Sequence, residues 1–253
     1  MLIEERRQHI LSLIQKQGRV VVDELSSNLD LSKITIRKDL DFLESKELLV
    51  RTHGGALPAQ AGALSDPTIQ EKEEFYREEK VKIAKAAAAM VSEGQCIILD
   101  SGTTTTEIAR SLASFRYLTI ITNALNIAAD LARSNFEIIM IGGTLRKNSL
   151  SVVGPLADDV LKEIHADIVF LGVDGFDIKI GLTTPNVLEA RVNRAMVAAA
   201  EKVVTVCDSS KFNRRSLSLI VAASEIDHVI TDNKLPDEEV KAIRDAGIEV
   251  TIV

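Results

Sequence analysis

The sequence has few of the residues that build covalent or metal-based scaffolds. It holds two cysteines and four histidines in 253 residues. Cys96 and Cys207 each lie inside an apolar run, which disfavours a disulfide scaffold and a cysteine-based metal site and suits reduced thiols in the cytoplasm. The histidines stand singly, without the spacing of metal ligands: they are His9, His53, His165 and His228. We therefore expect neither a metal centre nor a cofactor.

Long hydrophobic runs are also missing. The longest apolar stretches, such as Val203–Cys207, are strand-sized, and none approaches the roughly 18 consecutive apolar residues that suggest a membrane span. The N-terminal sequence MLIEERRQHI carries acidic residues and lacks an apolar signal core. The expectation is a cytoplasmic protein with no membrane partner.

The chain has no excess of positive charge. Thirty Lys and Arg residues against 37 Asp and Glu give a net charge of -7, which argues against coating nucleic acid or anionic membrane through bulk charge. A small local basic site stays open. The apolar share of 46% supplies a core, and at about 150 residues per domain the length allows one large domain or two modest ones.

Residues 1–57 have the pattern of a helix-turn-helix with a wing. Apolar residues recur at helical spacing in Glu4–Gln17 and, more briefly, in Asp23–Leu29. Ser32 can cap a third helix with apolar residues again three and four apart. Leu48–Leu57 then reads as two short strands around a glycine turn. A short helix, a tight turn and another helix predict a helix-turn-helix domain.

The polar face of the third helix suits contact with DNA. Hydroxyl, ammonium and guanidinium groups of this kind bind phosphates and base edges when a helix enters the major groove. Residues 1–58 carry equal numbers of acidic and basic residues, so binding would depend on local placement. The alternative is an ordinary solvated face of a small helical domain. The candidate residues on this helix are Ser32, Lys33, Thr35, Arg37 and Lys38.

Residues 58–76 are predicted to be a linker, and residues 77–253 a second domain. The linker segment has two prolines, few large apolar residues and a charge run. From residue 77, apolar strand-sized runs alternate with helical patterns, which predicts an α/β domain with a mostly parallel sheet covered on both faces. The runs are 96–99, 118–121, 138–141, 168–173, 203–207, 229–231 and 250–253, and the main helical patterns are 80–91, 124–133, 156–164, 187–201 and 236–246.

Polar groups follow five successive strand-like runs, where ligands of parallel sheets bind. The first, Asp100-Ser-Gly-Thr-Thr, leads into a helix and predicts an anion pocket. Each turn alone could be an ordinary capped connection, but together they suit a polyhydroxylated phosphate ester. The candidates at these ends and on the later helix are Asp100, Ser101, Gly102, Thr103, Thr104, Thr122, Asn123, Gly142, Gly143, Arg146, Asp174, Gly175, Glu189 and Lys211.

These motifs, in this order, resemble the DeoR family of bacterial transcriptional regulators over nearly the whole chain. The N-terminal resemblance is carried by ITIRKDL at 34–40 and RTHGGA at 51–56. The later motifs are DSGTT at 100–104, TN at 122–123, GG at 142–143, DG at 174–175, GLT at 181–183 and DSSK at 208–211. The resemblance adds Arg51 and His53 to the expected DNA contacts.

The resemblance implies a repressor that binds operator DNA and responds to a phosphorylated sugar. It also implies a sensor domain with a ribose-5-phosphate-isomerase-like fold and a homo-oligomer, commonly a tetramer. By position, the phosphate loop corresponds to 100–104, the sugar-facing carboxylates to Asp174 and Glu189, and the basic residue to Lys211. The pattern is closest to the amino-sugar branch, which points to a hexosamine phosphate or a related ketose phosphate.

Two other functions stay open at this point. A sugar-phosphate isomerase or an amino-sugar-phosphate deaminase with an accessory N-terminal domain could use Asp174, Glu189 and Lys211 as acid, base and electrostatic stabiliser. Residues 1–57 and the missing run of consecutive glycines between Asp174 and Glu189 favour sensing over turnover. A binding module that has lost DNA recognition is the third reading.

Overall fold

The computed structural model describes residues 3–17, 19–45, 48–52, 54–58, 66–73 and 75–253. They form two compact units. One contains the described residues up to Pro58 with Phe75 and Tyr76, and the other contains residues 66–73 and 77–253. Among these residues no helix has the length and apolar character needed to cross a membrane.

The first unit is a winged helix-turn-helix, as the sequence predicts. Its core is built from apolar residues of all three helices and of the small antiparallel sheet, with strand order β1-β3-β2. The buried core residues include Ile10, Leu25, Ile36, Leu40 and Leu49. The elements are α1 (Ile3–Gln17), β1 (Val20–Val21), α2 (Val22–Leu29), α3 (Lys33–Ser45), β2 (Leu49–Thr52) and β3 (Gly55–Pro58).

The turn between α2 and α3 is fixed by local hydrogen bonds. Asp30 ends α2 in the left-handed conformation, with φ of 51°. The Leu31 N–H then donates to the Ser26 carbonyl at 3.1 Å. The Ser32 hydroxyl accepts from the Thr35 N–H at 3.2 Å, which satisfies a free donor in the first turn of α3. The cap predicted at Ser32 is confirmed.

A buried ion pair joins α1 to α3. Arg6 Nε lies 2.5 Å from one carboxylate oxygen of Asp39, and Arg7 Nε lies 3.0 Å from the other. The Asp39 side chain is only 3% exposed. The guanidinium of Arg7 also lies 3.6 Å from the centre of the Phe42 ring. A buried carboxylate needs such partners, so Asp39 fixes the position of α3 against the rest of the unit.

The second unit is an α/β domain, and its main elements follow the predicted alternation. Helix α9 ends at Ala198 and a strand begins at Ala200, where the sequence predicts helix as far as Glu201. The elements are α4 (Ile69–Glu73), α5 (Arg77–Ala88), β4 (Cys96–Leu99), α6 (Thr103–Ser111), β5 (Thr119–Thr122), α7 (Leu125–Leu131), β6 (Glu137–Met140), β7 (Thr144–Arg146), β8 (Ser151–Val153), α8 (Pro155–Lys162), β9 (Ala166–Leu171), β10 (Gly175–Asp177), β11 (Gly181–Thr184), α9 (Val187–Ala198), β12 (Ala200–Val206), β13 (Ser218–Leu219), β14 (His228–Thr231), α10 (Asp237–Asp245) and β15 (Glu249–Ile252).

A seven-stranded sheet with order β15-β14-β12-β9-β4-β5-β6 forms the centre of this unit. Every neighbouring pair in it is parallel. Successive side chains of a strand point to opposite faces, so Ile97 and Leu99 pack with α5, α6 and α7, while Ile98 packs with α8, α9 and α10. Both faces are therefore buried, and the carboxyl ends of the strands are left as the place for polar groups.

Short antiparallel strands lie beyond these carboxyl ends, and the sequence analysis did not predict them. Strand β7 pairs with β8, and β11 pairs with both β10 and β13. Gly175 permits a close approach, because a Cβ there would lie 2.5 Å from the Arg214 carbonyl oxygen. Gly181 has a positive φ of 118°, and its Cβ would lie 2.0 Å from the Val221 oxygen.

Part of the segment expected to be a linker is docked on the second unit. Thr68 and Glu71 form a reciprocal capping pair that starts α4: the Thr68 N–H donates to Glu71 Oε2 at 2.7 Å, and the Glu71 N–H donates to the Thr68 hydroxyl at 3.3 Å. Ile69 is buried, and its N–H donates to the Asn148 carbonyl at 2.7 Å. Residues 66–73 are therefore part of the sensor structure.

We predict that Asp39→Ala lowers the free energy of unfolding of the winged helix-turn-helix by about 3 kcal/mol, because it leaves the Arg6 and Arg7 guanidinium groups without their buried partner. Urea titration of the full chain, followed by hydrogen exchange of amides in α1 and α3, measures this. The matched control is Asp41→Ala: Asp41 is 63% exposed and pairs with Arg51, so its loss should cost at most about 1 kcal/mol. Equal effects of the two substitutions would contradict the role of Asp39.

Candidate functional site

The exposed face of α3 carries most of the predicted DNA contacts. Arg37 and Lys38 are exposed, and neither forms an ion pair with any residue that the structure describes. Ser32 and Lys33 are also exposed, and Lys33 Nζ lies 2.9 Å from Asp23. Thr35 is half-buried, and its hydroxyl lies 3.0 Å from that of Ser32. The helix thus presents two unpaired cations beside two hydroxyl groups.

The sequence analysis missed Ile34 on this face. This apolar side chain is 65% exposed and stands between polar neighbours in the first turn of α3. Exposed apolar side chains on a recognition helix contact the thymine methyl group. The signal in the sequence was its position two residues before Ile36, which is buried; at helical spacing the two cannot share a face.

Arg51 of the wing is less available for contact with DNA than its sequence position suggests. Its Nε lies 3.3 Å from Asp41, and its N–H donates to Glu44 Oε1 at 3.0 Å. Both partners belong to α3, so the side chain is held against that helix. His53 lies outside the described residues.

The N-terminus of α6 is the first part of the polar site at the carboxyl ends of the strands, called the crevice below. The hydroxyls of Thr105 and Thr106 donate back to the Gly102 carbonyl at 2.9 and 2.7 Å. The hydroxyls of Thr103 and Thr104 make no hydrogen bond to any described residue. The first N–H groups of a helix are also free of helical partners, so this end of α6 can accept an anion.

Asp100, directly before this loop, is buried, and its surroundings disfavour the charged form. Burial first, and the nearby Glu189 carboxylate second, raise the pKa of Asp100 well above its ordinary value. With its amide nitrogen turned toward Asp100, Asn193 donates to Asp100 Oδ1 at 3.2 Å and to the Glu189 carbonyl at 3.1 Å. Glu189 and Asn193 are one helical turn apart on α9, so one face of that helix lines the crevice.

Arg146 connects the β7–β8 hairpin to α9. Its guanidinium forms ion pairs with both Glu189 and Asp66, and it donates to the Ser149 hydroxyl at 3.2 Å. The Ser151 hydroxyl donates to Glu189 Oε1 at 2.8 Å. The Glu189 side chain is only 9% exposed, so its charge depends on Arg146 for compensation.

Asp174 is the second paired carboxylate. Lys72 Nζ lies 2.6 Å from its Oδ1, and the Thr184 hydroxyl donates to its Oδ2 at 3.2 Å. Burial alone would raise the pKa of Asp174, but the ammonium groups of Lys72 and Lys211 outweigh it and lower that pKa. Burial alone would likewise lower the pKa of Lys72, but Asp174 raises it. Thr184 also lies 3.5 Å from Glu189 Oε2 and so bridges the two carboxylates.

A buried lysine, Lys80 of α5, lies beneath this group. Its Nζ donates to the Lys72 carbonyl. Burial lowers the pKa of Lys80 to about 8, and the neighbouring Asp208 carboxylate opposes that effect while Lys211 and Lys72 add to it. Lys211 itself stands in a 3₁₀ turn capped by Asp208, which accepts from the Ser210 N–H at 3.0 Å.

Four of the predicted crevice residues have packing roles that are visible in the structure. The Thr122 hydroxyl donates to the Leu99 carbonyl at 2.7 Å, and Asn123 Nδ2 donates to the Val152 carbonyl at 3.3 Å. A Cβ on Gly143 would lie 2.5 Å from the Val153 oxygen, and Gly175 is similarly crowded. The Asn123 amide oxygen is buried and has no partner within the described part of the chain. These residues set the path of the backbone around the crevice.

The structure therefore brings Asp100, Arg146, Asp174 and Glu189 into one connected polar cluster. The sequence analysis missed six residues that complete it. A Thr-x-x-Glu cap at 68–71 was a signal for α4, and the helical spacing of Glu189 and Asn193 was a signal for the face of α9. The missed residues are Asp66, Lys72, Lys80, Ser151, Thr184 and Asn193.

Comparison with known proteins gives matches over both units. A model of the DeoR-like helix-turn-helix domain matches residues 6–60, and a model of the DeoR C-terminal sensor domain matches residues 76–233. The chain is 41% identical to the aga operon transcriptional repressor of Escherichia coli O157:H7, over 98% of this chain and 93% of that protein. It is 39% identical to the regulator GlpR of Haloferax volcanii, over 99% of this chain and 98% of that protein.

Solved structures give a weaker likeness. Ribose 5-phosphate isomerase A from Neisseria gonorrhoeae aligns over 54% of this chain and 53% of its own, with 17% identity and a TM-score of 0.40. A likeness of this size carries no argument about activity.

We predict that Lys80 contributes a rise in stability with pH between about pH 8 and pH 10.5, and that Lys80→Met loses this contribution. In that window the unfolded chain binds a proton at Lys80 that the folded chain does not, because the folded pKa is about 8 against an ordinary value of 10.5. The slope is at most about 1.4 kcal/mol per pH unit. Urea titrations across this range measure it, with Lys85→Met on the exposed face of α5 as the control. The control should keep the pH dependence of the wild type, and an unchanged pH dependence in Lys80→Met would contradict this assignment.

Proposed function

Since the chain belongs to the DeoR family of transcriptional regulators, we propose that it represses a sugar catabolic operon and that a phosphorylated sugar releases it from its operator DNA. It is a DNA-binding transcriptional regulator, as its family and relatives are. The relatives are regulators and repressors rather than enzymes, so an isomerase or a deaminase is no longer a competing function.

The face of α3 supports the DNA-binding half of this proposal. In a helix-turn-helix the second helix of the motif enters the major groove, and its first turns contact base edges. Arg37 and Lys38 point into solvent on this face without a competing ion pair from the described residues. The proposed DNA contacts are Ser32, Lys33, Thr35, Arg37 and Lys38 on α3, with Arg51 and His53 in the wing.

The polar cluster at the strand ends is the observation that carries the sensing half. A helix N-terminus with free threonine hydroxyls suits a phosphate, and carboxylates beside them suit sugar hydroxyls. Arg146 and Lys211 supply cations at the same edge. The proposed effector site consists of Asp100, Ser101, Gly102, Thr103, Thr104, Thr122, Asn123, Gly142, Gly143, Arg146, Asp174, Gly175, Glu189 and Lys211.

The relatives favour an amino-sugar phosphate or a related ketose phosphate as the effector. One of them, at 41% identity, is named for the aga operon, and the sequence pattern of the amino-sugar branch agrees with that name. The proposed domains are the DNA-binding domain 1–57, a linker 58–76 of which residues 66–73 dock on the sensor, and the sensor domain 77–253. We expect the protein in the cytoplasm, where operator DNA lies.

We propose a homo-oligomer, expected to be a tetramer. Several DNA-binding domains, here called heads, add affinity for DNA that a single head without net charge lacks. Two-fold dimers need half-sites about 34–36 Å apart or at multiples of that spacing. The effector acts by favouring a state in which the heads no longer match this spacing, and it shifts the equilibrium only by its difference in affinity for the two states.

The direct test is a titration of the complex between the full chain and DNA from upstream of its own gene with hexose, pentose and amino-sugar phosphates. At least one should release the DNA. Lys211→Ala should bind the DNA normally but need about 10-fold more effector, because a charge-assisted hydrogen bond is lost. Lys241→Ala on the exposed side of α10 is the control. Unchanged DNA affinity across the panel would refute effector control, and normal release of Lys211→Ala would remove Lys211 from the site.

A second prediction concerns Arg37. Arg37→Ala should weaken operator binding by about 1–3 kcal/mol if Arg37 reads a base edge, and unrelated DNA should be affected much less. Arg116→Ala, which removes an exposed cation from the sensor domain, is the control of equal charge. An equal loss on all sequences with a shallower salt dependence would assign Arg37 to a phosphate. No loss on any DNA would place it outside the interface.

A further inference from the structure

The ion pairs of the crevice are completed by a segment that comes from outside the α/β alternation. We propose that residues 66–73, called the strap below, compete with the effector: Asp66 occupies Arg146, and Lys72 occupies Asp174. The inference rests on the proposed function, since it concerns how the same crevice is filled when no effector is bound.

The pairing of Arg146 shows which partner can exchange. Its guanidinium binds two carboxylates, Glu189 and Asp66. Glu189 is 9% exposed and is also held by Ser151, whereas Asp66 is 24% exposed and lies on the strap. A ligand that brings an anionic oxygen to Arg146 therefore replaces Asp66, because displacing Glu189 would leave a buried carboxylate without a cation.

In the ion pair of Asp174 the charges are reversed, and the exchangeable partner is the cation Lys72 of the strap. The Lys72 ammonium lies 2.6 Å from the carboxylate, and the Lys72 side chain is 25% exposed. Sugar hydroxyls are good donors to a carboxylate, which can accept several hydrogen bonds. A ligand with an anionic group and several hydroxyls can thus replace both contacts of the strap. Its anionic group replaces Asp66 at Arg146, and its hydroxyls replace Lys72 at Asp174.

The strap is held by few other contacts, which makes its release feasible. Of its eight residues only Ile69 is buried. Its remaining anchors are three hydrogen bonds: the Ile69 N–H donates to the Asn148 carbonyl at 2.7 Å, Asn148 Nδ2 donates to the Asp66 carbonyl at 3.2 Å, and Lys80 Nζ donates to the Lys72 carbonyl. Segments with few buried apolar contacts are the ones that open locally at low cost.

The position of the strap in the chain gives its release a consequence. In chain order it follows the DNA-binding domain, and Phe75 and Tyr76, which belong to the first unit, come after it before the sensor resumes at Arg77. Release of its eight docked residues therefore frees part of the segment that joins the two units. Eight extended residues span at most about 28 Å. Occupancy of the crevice would in this way change the constraint on the DNA-binding heads.

The test is Asp66→Asn in the full chain, which keeps the size of the side chain and removes its charge. Calorimetric titration with glucosamine 6-phosphate and fructose 6-phosphate should show affinity about 3- to 10-fold higher than in the wild type, the gain expected from removing a partly exposed competing pair. The matched control is Asp159→Asn, which breaks the exposed pair with Lys162 on α8 and should leave the affinity unchanged.

Hydrogen exchange at the strap is the second readout. Adding the sugar phosphate to the wild type should speed exchange at the Ile69 and Lys72 amides, which donate to Asn148 and Thr68 when the strap is docked. Asp66→Asn should show faster exchange at these amides without ligand.

The outcomes separate the two proposals. If the wild type binds but Asp66→Asn binds equally or more weakly, or if strap amides become more protected with ligand, the strap inference fails and the proposed function stands. Binding only by Asp66→Asn supports the strap and shows that it closes the site. If neither protein binds either sugar phosphate, the strap inference fails, because the crevice without its competitor must accept such a ligand, whereas the proposed function is refuted only by the wider panel of hexose, pentose and amino-sugar phosphates.

Discussion

Compensation of buried and half-buried carboxyl groups at one edge of the parallel sheet is the constraint on which the sensor depends. Asp100, Asp174 and Glu189 meet there, and an uncompensated buried charge costs several kcal/mol. The structure meets this requirement in two ways. Asp100 is driven toward its neutral form by burial and by Glu189, whereas Glu189 and Asp174 are paired with Arg146 and Lys72. Ion pairing leaves partners on the strap, Asp66 and Lys72, that a charged and hydroxylated ligand can replace.

The DNA-binding domain follows the same principle with a different result. Asp39, a deeply buried carboxylate of this domain, holds Arg6 and Arg7 of α1, while Arg37 and Lys38 of α3 form no ion pair with any described residue. Residues 1–58 carry no net charge, and recognition must come from the placement of Arg37 and Lys38. Switching such a protein from mostly bound to mostly released, from 99:1 to 1:99, takes about 5.5 kcal/mol of differential affinity. Several exchanged contacts in the crevice have to contribute to it.

Much of this arrangement could be predicted from the sequence, and the exceptions have physical reasons. Buried strands such as Cys96–Leu99 are continuous apolar runs, so their ends at Asp100, Thr122, Asp174 and Lys211 were found. Strands β7 and β13 have only three and two residues and contain polar ones, so they show neither a continuous apolar run nor a periodic signal. Asp66 and Lys72 were missed because a polar segment with prolines has the composition of a linker, although the cap at Thr68–Glu71 marks a helix. Arg51 has a suitable position for DNA, but only the structure shows its contact with Asp41.

The central claim is that the crevice of the sensor domain accepts a phosphorylated sugar. Isothermal titration of the full chain with paired sugars, each with and without its phosphate, tests it most directly. At least one phosphorylated sugar should bind with a measurable heat while its unphosphorylated counterpart does not. Equal binding of the two forms, or no binding by any member of a panel of hexose, pentose and amino-sugar phosphates, would contradict the claim.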